Sequence, residues 1–155
     1  MHKKEREIKS QEVLEAILKR GKFASIALSR RNQPYIVTLS YGYDAAKRAL
    51  YFHTAREGLK LEFIRGNPRA CGTVVEDLGY LQGECAQAFR SVVFFGKVVL
   101  VESLDEKKHG FDIMLRHLEN DPDAVRKRLL GSDRSFDRAA VLRFDIEEMT
   151  GKAGR

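Results

Sequence analysis

The sequence predicts a mainly β chain of the α+β class: a six-stranded antiparallel barrel with helices on its periphery. Three observations carry this. Short runs rich in Val, Ile, Phe and Tyr recur with turn residues between them. Most successive runs are joined by tight turns, which pair strands antiparallel. Apolar spacing switches to the helical period in only three or four segments, and six strands closing on themselves would leave no exposed edge. No internal repeat or linker divides the chain, so residues 1–155 read as a single domain.

The elements follow in order. Residues 1–9 are a charged lead-in of the kind that frays. Ser10 is placed to cap a helix running to Arg20, with Val13, Leu14, Ile17 and Leu18 on one face and Gly21 closing it. Phe23–Ser29 alternates as a strand, Arg30–Pro34 turns the chain, and Tyr35–Tyr43 returns as the second strand of a hairpin. Asp44–Arg48 turns again into a strand at Leu50. A helix from Leu59 is stopped by Asn67-Pro68, and Arg69–Val75 forms a fourth strand holding Cys71. Glu76–Ala88, rich in Gly and without periodicity, reads as a loop. Phe89–Val101 is nearly continuously apolar, the pattern of a strand buried on both faces, and Gly96 marks a bulge or bend. Helices at Leu104–Leu118 and from Asp121-Pro122 to Leu130 precede a last strand, Ala139–Ile146, and a polar tail.

Composition excludes more than it selects. With 43% hydrophobic and 32% charged residues, the chain has the balance of a soluble globular protein. No apolar run approaches the ~18 residues of a membrane span. The charged start is not followed by an apolar stretch of the signal-peptide kind, so the expected location is the cytoplasm. The net charge of +6 permits nucleic acid, but the cations are interleaved with acids and no one-signed aromatic patch is visible. An anionic small ligand accounts for the surplus equally well.

The stretch Leu50–Asn67 is the most informative. Leu50, Tyr51 and Phe52 have strand character, while Leu59, Phe63 and Ile64 recur at helical spacing. The change of period occupies only His53–Gly58, which leaves free backbone N–H groups at a helix start, with Thr54 a candidate cap. Gly58 costs helix stability and lets a ligand approach bare backbone. Lys60 and Arg56 add cations, so the segment suits a phosphate group. Glu57 must then point away from the anion. A plain helix start with solvated charges is the competing reading of the same residues.

No hydrolytic or metal constellation stands out, and no catalytic residue is assigned. His2, His53, His109 and His117 are scattered, and Cys71 and Cys85 form neither a metal spacing nor a disulfide framework. Cys71, inside a strand, reads as a small core residue.

The order of segments carries a resemblance. A helix ending at Gly21, then PYIVTLSYGYD, LYFHTAREGLKLEFIRGNPRAC, GECAQAFRSVVFFGKVV and AVLRFDIEEMTGK, together resemble the pyridoxamine-phosphate-oxidase-related flavin-binding split barrels. The similarity spans nearly the whole chain and is greatest to the branch named for nitroimidazole resistance. It implies a split β-barrel homodimer that binds FMN, or FAD in some members, in a cleft between subunits. Carried onto this sequence, it implies that Val37, Thr38, Leu39 and Ser40 line the isoalloxazine edge and that His53 and Thr54 continue that wall. Gly58, Leu59 and Lys60 would cradle the flavin phosphate, and Arg90 and Ser91 would reach the flavin from the long strand. Tyr41 or Phe89 would shape the space above the ring.

The implied function is flavin-dependent reduction of a small aromatic or nitro compound. Pyridoxamine-phosphate oxidases complete their substrate site with a C-terminal segment bearing Trp and Arg. This sequence has no Trp, so pyridoxine phosphate is not the expected substrate. A non-catalytic flavin- or haem-binding barrel is the alternative, and haem would need an axial ligand such as His53.

Overall fold

The computed structural model describes residues 4–154. Met1–Lys3 of the expected lead-in lie outside the described residues, but the remainder is ordered into structure. A 3-10 turn at Lys4–Arg6 leads into β1 (Glu7–Ile8), which pairs with the last strand through Glu7↔Lys152 and Ile8↔Gly151. Helix α1 (Gln11–Arg20) begins where expected, with the Ser10 hydroxyl accepting from the Val13 amide at 3.4 Å. Leu14, Ile17 and Leu18 bury its apolar face, and the Gly21 amide closes it on the Ile17 carbonyl at 2.9 Å.

Arg31 and Asn32 take positive φ (50° and 64°), the primed two-residue turn that matches strand twist, and join β2 (Phe23–Arg30) to β3 (Gln33–Ser40). The second expected strand is therefore divided: β4 (Gly42–Asp44) is separate and pairs with β5 (Ala49–Thr54). Helix α2 (Leu59–Gly66) leads to β6 (Arg69–Leu81) and β7 (Ala86–Val101). Glu76–Ala88 is thus not a loop but the outer part of a long hairpin, with Tyr80↔Gln87 and Leu81↔Ala86 paired beyond an irregularity after Asp77. Gly79 (φ 100°), Gly83 (φ 81°) and Cys85 (φ 48°) supply the backbone bends that removed its periodicity. Helices α3 (Leu104–Leu118) and α4 (Pro122–Leu129) precede β8 (Ala140–Ala153), which takes in most of the supposed polar tail.

The strands make one eight-stranded antiparallel sheet in the order β3-β2-β6-β7-β8-β5-β4, with β1 added to β8. The two extra strands over the expected six are short pieces, β1 and β4. The sheet curls until β3 touches β5 with no ladder pairing them among the described residues, which is the split in the barrel. Its interior is filled by Leu14 and Leu18 from α1, Phe63 from α2, and Leu50, Phe52, Phe94 and Phe144 from the strands. A smaller cluster, Ala49, Tyr51, Val101, Met114 and Val141, fastens α3 to the outside of β5 and β8.

The bulge expected at Gly96 is present: the β7–β8 register shifts between Phe95 and Gly96. A side chain at Gly96 would run into the Asp145 carbonyl oxygen. The expected two-sided burial of β7 is not found in the chain by itself. Val92, Phe94 and Val98 face the core, while Phe95 and Val99 are 44% and 37% exposed on the outer face. Cys71 is half-buried rather than a core residue, alternating out of line with the core-facing Val74.

Candidate functional site

Helix α2 opens beside the split. Its N-cap is Gly58 rather than Thr54, with φ 132° and ψ 169° and no side-chain capping bond. That conformation belongs to glycine, and nothing lies within 4 Å of where a Cβ would stand. The Gly58 carbonyl accepts from Leu61 at 3.0 Å and Glu62 at 3.3 Å, which leaves the Leu59 and Lys60 amides as the uncommitted donors of the first turn. Thr54 is instead buried at the end of β5, opposite Ala140.

Arg56, Glu57, Gly58, Glu62 and Arg65 line an open groove of about 700 Å³ over this end. Neither Arg56 nor Arg65 has an ion-pair partner among the described residues, whereas Glu62 faces Arg30 at 3.7 Å. The Lys60 side chain goes elsewhere. It closes a small apolar hollow at the barrel mouth with Val37, Leu39, Phe52, Ile64 and Val98. The Lys60 stem therefore connects the helix start to the edge strand β3. On that strand Val37 and Leu39 face inward, Thr38 and Ser40 are exposed, and Thr38 bonds Ser25 across to β2 at 2.9 Å.

Thus Lys60, next to Gly58 and Leu59 at the start of α2, shares a hollow with Val37 and Leu39 of β3, the strand that also carries Thr38 and Ser40, while Thr54 ends β5 four residues before Gly58. Other expected residues stand apart. The His53 ring turns to the α3 side, stacked on Phe111 with centroids 6.0 Å apart, so only its backbone adjoins the same wall. Arg90 and Ser91 lie eight and seven residues before Val98 on β7, about 26 and 23 Å of strand from the Lys60 hollow. Arg90 pairs with Glu76 at 3.0 Å, and Arg20 takes the other Glu76 oxygen at 2.6 Å. Tyr41 is fully buried and donates to the Leu18 carbonyl at 2.7 Å, so it faces no open space. Burial pushes its pKa up. Phe89 packs under Lys152, whose ammonium stands 5.7 Å from the ring centroid.

The remaining histidines have structural partners. His117 Nε2 donates to the Gly21 carbonyl at 2.6 Å, and Nδ1 faces the Tyr43 amide at 3.5 Å, which fixes α3 to the α1–β2 corner. Burial lowers its pKa; the Gly21 carbonyl opposes that and Lys22 adds to it. His109 Nε2 meets the buried Asp44 carboxylate at 2.7 Å. His53 borders an apolar cleft between α3 and α4 of about 190 Å³, below the usual size of a small-molecule site, which does not suit a haem. No cluster of three or more His, Cys, Asp or Glu among the described residues is arranged to hold a metal. No helix among them is long and apolar enough to cross a membrane.

Sequence reasoning missed Arg65, which reads as an ordinary exposed helix position. It lines the same groove as Arg56, nine residues earlier, for which the sequence carries no signal.

An antiparallel sheet curled to an open seam, with a glycine-led helix start beside that seam, defines the split-barrel class. The sequence profile of the pyridoxamine 5'-phosphate oxidase family matches residues 10–153, and the chain belongs to that family. Among solved structures, it is similar to a candidate 5-nitroimidazole antibiotic resistance protein from Bacteroides thetaiotaomicron (26% identity, TM-score 0.79, 96% of this chain and 86% of that one). It is similar also to an FAD-binding protein from Mesorhizobium loti (25% identity, TM-score 0.70, 97% of both chains). A FAD- and haem-binding protein from Mycobacterium smegmatis shares the fold at 17% identity, with a TM-score of 0.75 over 97% of this chain and 74% of that one. No curated protein sequence matches the chain.

Proposed function

We propose that the chain is a cytoplasmic flavoprotein that works as a homodimer and reduces a small aromatic or nitro compound. The observation that carries this is the Gly58 cradle. Bare backbone, two uncommitted amides, and the cations Arg56 and Arg65 converge where a phosphate-bearing group fits, with the Lys60 side chain on the flank toward β3. FMN is the smallest flavin that uses this cradle. The FAD-binding protein and the nitroimidazole-resistance candidate among the similar structures support the cofactor class and the substrate class respectively.

In this reading the Leu59 and Lys60 amides and the Arg56 guanidinium hold the phosphate, the Lys60 side chain bridges from it to the β3 edge, and the Val37–Ser40 edge positions the ring. An edge strand keeps unpaired N–H and C=O groups, and such donors favour negative charge on a ring edge beside them. A bound flavin supplies hydride or single-electron transfer. His53 and Thr54 act through the β5 backbone, bracing the wall.

Arg90 and Ser91 reach this pocket only from a second copy, because their own cradle is too distant. Phe23, Ile36, Val75, Phe95 and Val99 stand exposed on the outer face of β3, β2, β6 and β7, an apolar surface of the kind a dimer covers. Ser91 lies on that same face, and Arg90 keeps guanidinium donors not engaged by Glu76.

Titration of the purified protein with FMN, followed by visible absorption and fluorescence, tests the reading. Saturable binding to a dimer, followed by reoxidation of the reduced complex by a nitroaromatic compound, is expected. A protein that takes up neither FMN nor FAD would sink the flavin reading, and a monomer in sedimentation would remove Arg90 and Ser91 from the site.

A further inference from the structure

On α3, Lys108, Phe111 and Asp112 recur at i, i+3 and i+4 and so share one face of the helix. The chain then reverses into α4, and a 3-10 turn at Asp133–Arg138 comes back to α3. These elements enclose a pocket of about 500 Å³, within the range of small-molecule sites. It meets the apolar α3–α4 cleft at Phe111 and Leu130.

Three features set the chemistry of this pocket. Phe111 and Phe136 form an aromatic corner, with centroids 5.6 Å apart and planes at 68°. The charges in its lining are paired, Lys108 with Asp133 at 2.8 Å and Arg126 with Asp112, so two cations balance two acids. His109 is the third feature. Its Nε2 meets the buried Asp44 carboxylate at 2.7 Å, while the side chain stays 40% exposed where it lines the pocket. Asp44 is ionised at neutral pH and can only accept, so Nε2 carries the hydrogen and Nδ1 of the neutral ring is a lone pair. No donor meets that nitrogen among the described residues.

We propose that the pocket binds an uncharged planar aromatic molecule with a hydroxyl on its ring, a phenol, which donates to His109 Nδ1. The aromatic corner takes the ring through offset and edge contacts. A carboxylate in place of the hydroxyl would bring no hydrogen to the lone pair and would find Lys108 and Arg126 already neutralised. Asp44 acts as a positioning residue, because its hydrogen bond fixes the tautomer. No residue lines both this pocket and the groove at Gly58, so the site stands apart from the flavin reading.

Calorimetric titration of the purified protein with 2-naphthol, its methyl ether and 2-naphthoate, with and without saturating FMN, tests the site. The phenol should bind once per chain, equally with and without FMN, and about tenfold tighter than the ether or the carboxylate. His109→Gln puts an amide N–H where Nε2–H stood, which keeps a donor on Asp44 and removes the Nδ1 acceptor. It should bring 2-naphthol down to the affinity of its ether. Ser132→Trp, at the exposed rim, should fill the pocket and abolish binding of both, with the urea midpoint of wild type. Failure of 2-naphthol to bind, equal affinity for the phenol and its ether, or wild-type affinity in Ser132→Trp overturns the proposal. Competition between 2-naphthol and FMN overturns it as well, because the phenol would then occupy the flavin cleft.

Discussion

The two sides of β5 use charge in opposite ways. On the α3 side nearly every charge is spent inside the chain. Asp44 is bound by His109 at 2.7 Å and by the Lys47 amide at 3.1 Å, and Glu106 accepts from the Tyr51 hydroxyl at 3.2 Å and pairs with Arg143. Arg143 also holds Asp145 at 2.6 Å. At the α2 entrance, Arg56 and Arg65 have no acid partner among the described residues, and the helix lacks a capping side chain. A cap or an ion pair at that end would help the fold by roughly 1 kcal/mol and would occupy donors that a ligand needs. Substitutions should therefore separate cleanly: those at the entrance change binding, and those under α3 change stability.

The largest effect is expected from Gly58→Val. No neighbour blocks the new side chain, but φ of 132° is strained for a β-branched residue, so the first turn of α2 must shift and carry its amides away. Flavin affinity should fall about a hundredfold, or roughly 2.7 kcal/mol, as read by fluorescence titration. Unchanged affinity would show that the amides do not hold the ligand. Next comes Asp44→Ala, which strips both partners from a buried site and should cost about 1–3 kcal/mol in urea unfolding. Its flavin affinity should stay within about twofold of wild type; a larger change would mean that the α3 side reaches the site. Lys60→Ala should weaken flavin binding about tenfold with little loss of stability, because its stem covers only the small hollow at the barrel mouth. If it instead destabilised the protein as much as Asp44→Ala, Lys60 would be a packing residue.

The same contrast explains what could be read from the sequence. Local signals are legible: the Ser10 cap, the Arg31-Asn32 turn region, the Gly96 bulge and the strand-to-helix switch ending at Gly58 each rest on a few adjacent residues. The β6–β7 hairpin is not, because glycines in its outer part hide a pairing that is satisfied across strands. The last strand was cut short for a related reason. Glu147, Glu148, Thr150 and Lys152 look like a tail, yet their backbones complete the ladder with β7. In the candidate site, the pairing of Gly58 with Lys60 is legible because they are two residues apart at one helix start. The pocket lined by Lys108, Arg126 and Phe136 is not, since three separate elements meet there. The apolar run of β7 has the pattern of two-sided burial, and its outward Phe95 and Val99 fit that pattern if a second copy covers them.

The smallest expected effect is a pH dependence, and it belongs wholly to the α3 side. His117 is buried as the neutral ring, with a pKa below its ordinary 6.5. As pH falls below about 6.5 the unfolded chain gains a proton that the folded one refuses, so stability decreases toward the folded pKa. The carboxylates act lower. Burial raises the Asp44 pKa, but the His109 hydrogen bond and the Lys47 amide outweigh it, so the net value lies below 3.8. Glu106 is likewise desolvated by burial, yet Arg143 and Tyr51 bring it below its ordinary 4.5. Their contribution is complete above those ordinary values and is lost as pH drops through the folded ones. All three groups destabilise the fold on acidification, so urea midpoints should decline in two steps, the first assigned to His117 and the second to Asp44 and Glu106. His117→Gln should remove the first step and keep the second. A midpoint that holds level through the first window in wild type would show that His117 does not link α3 to the α1–β2 corner in solution.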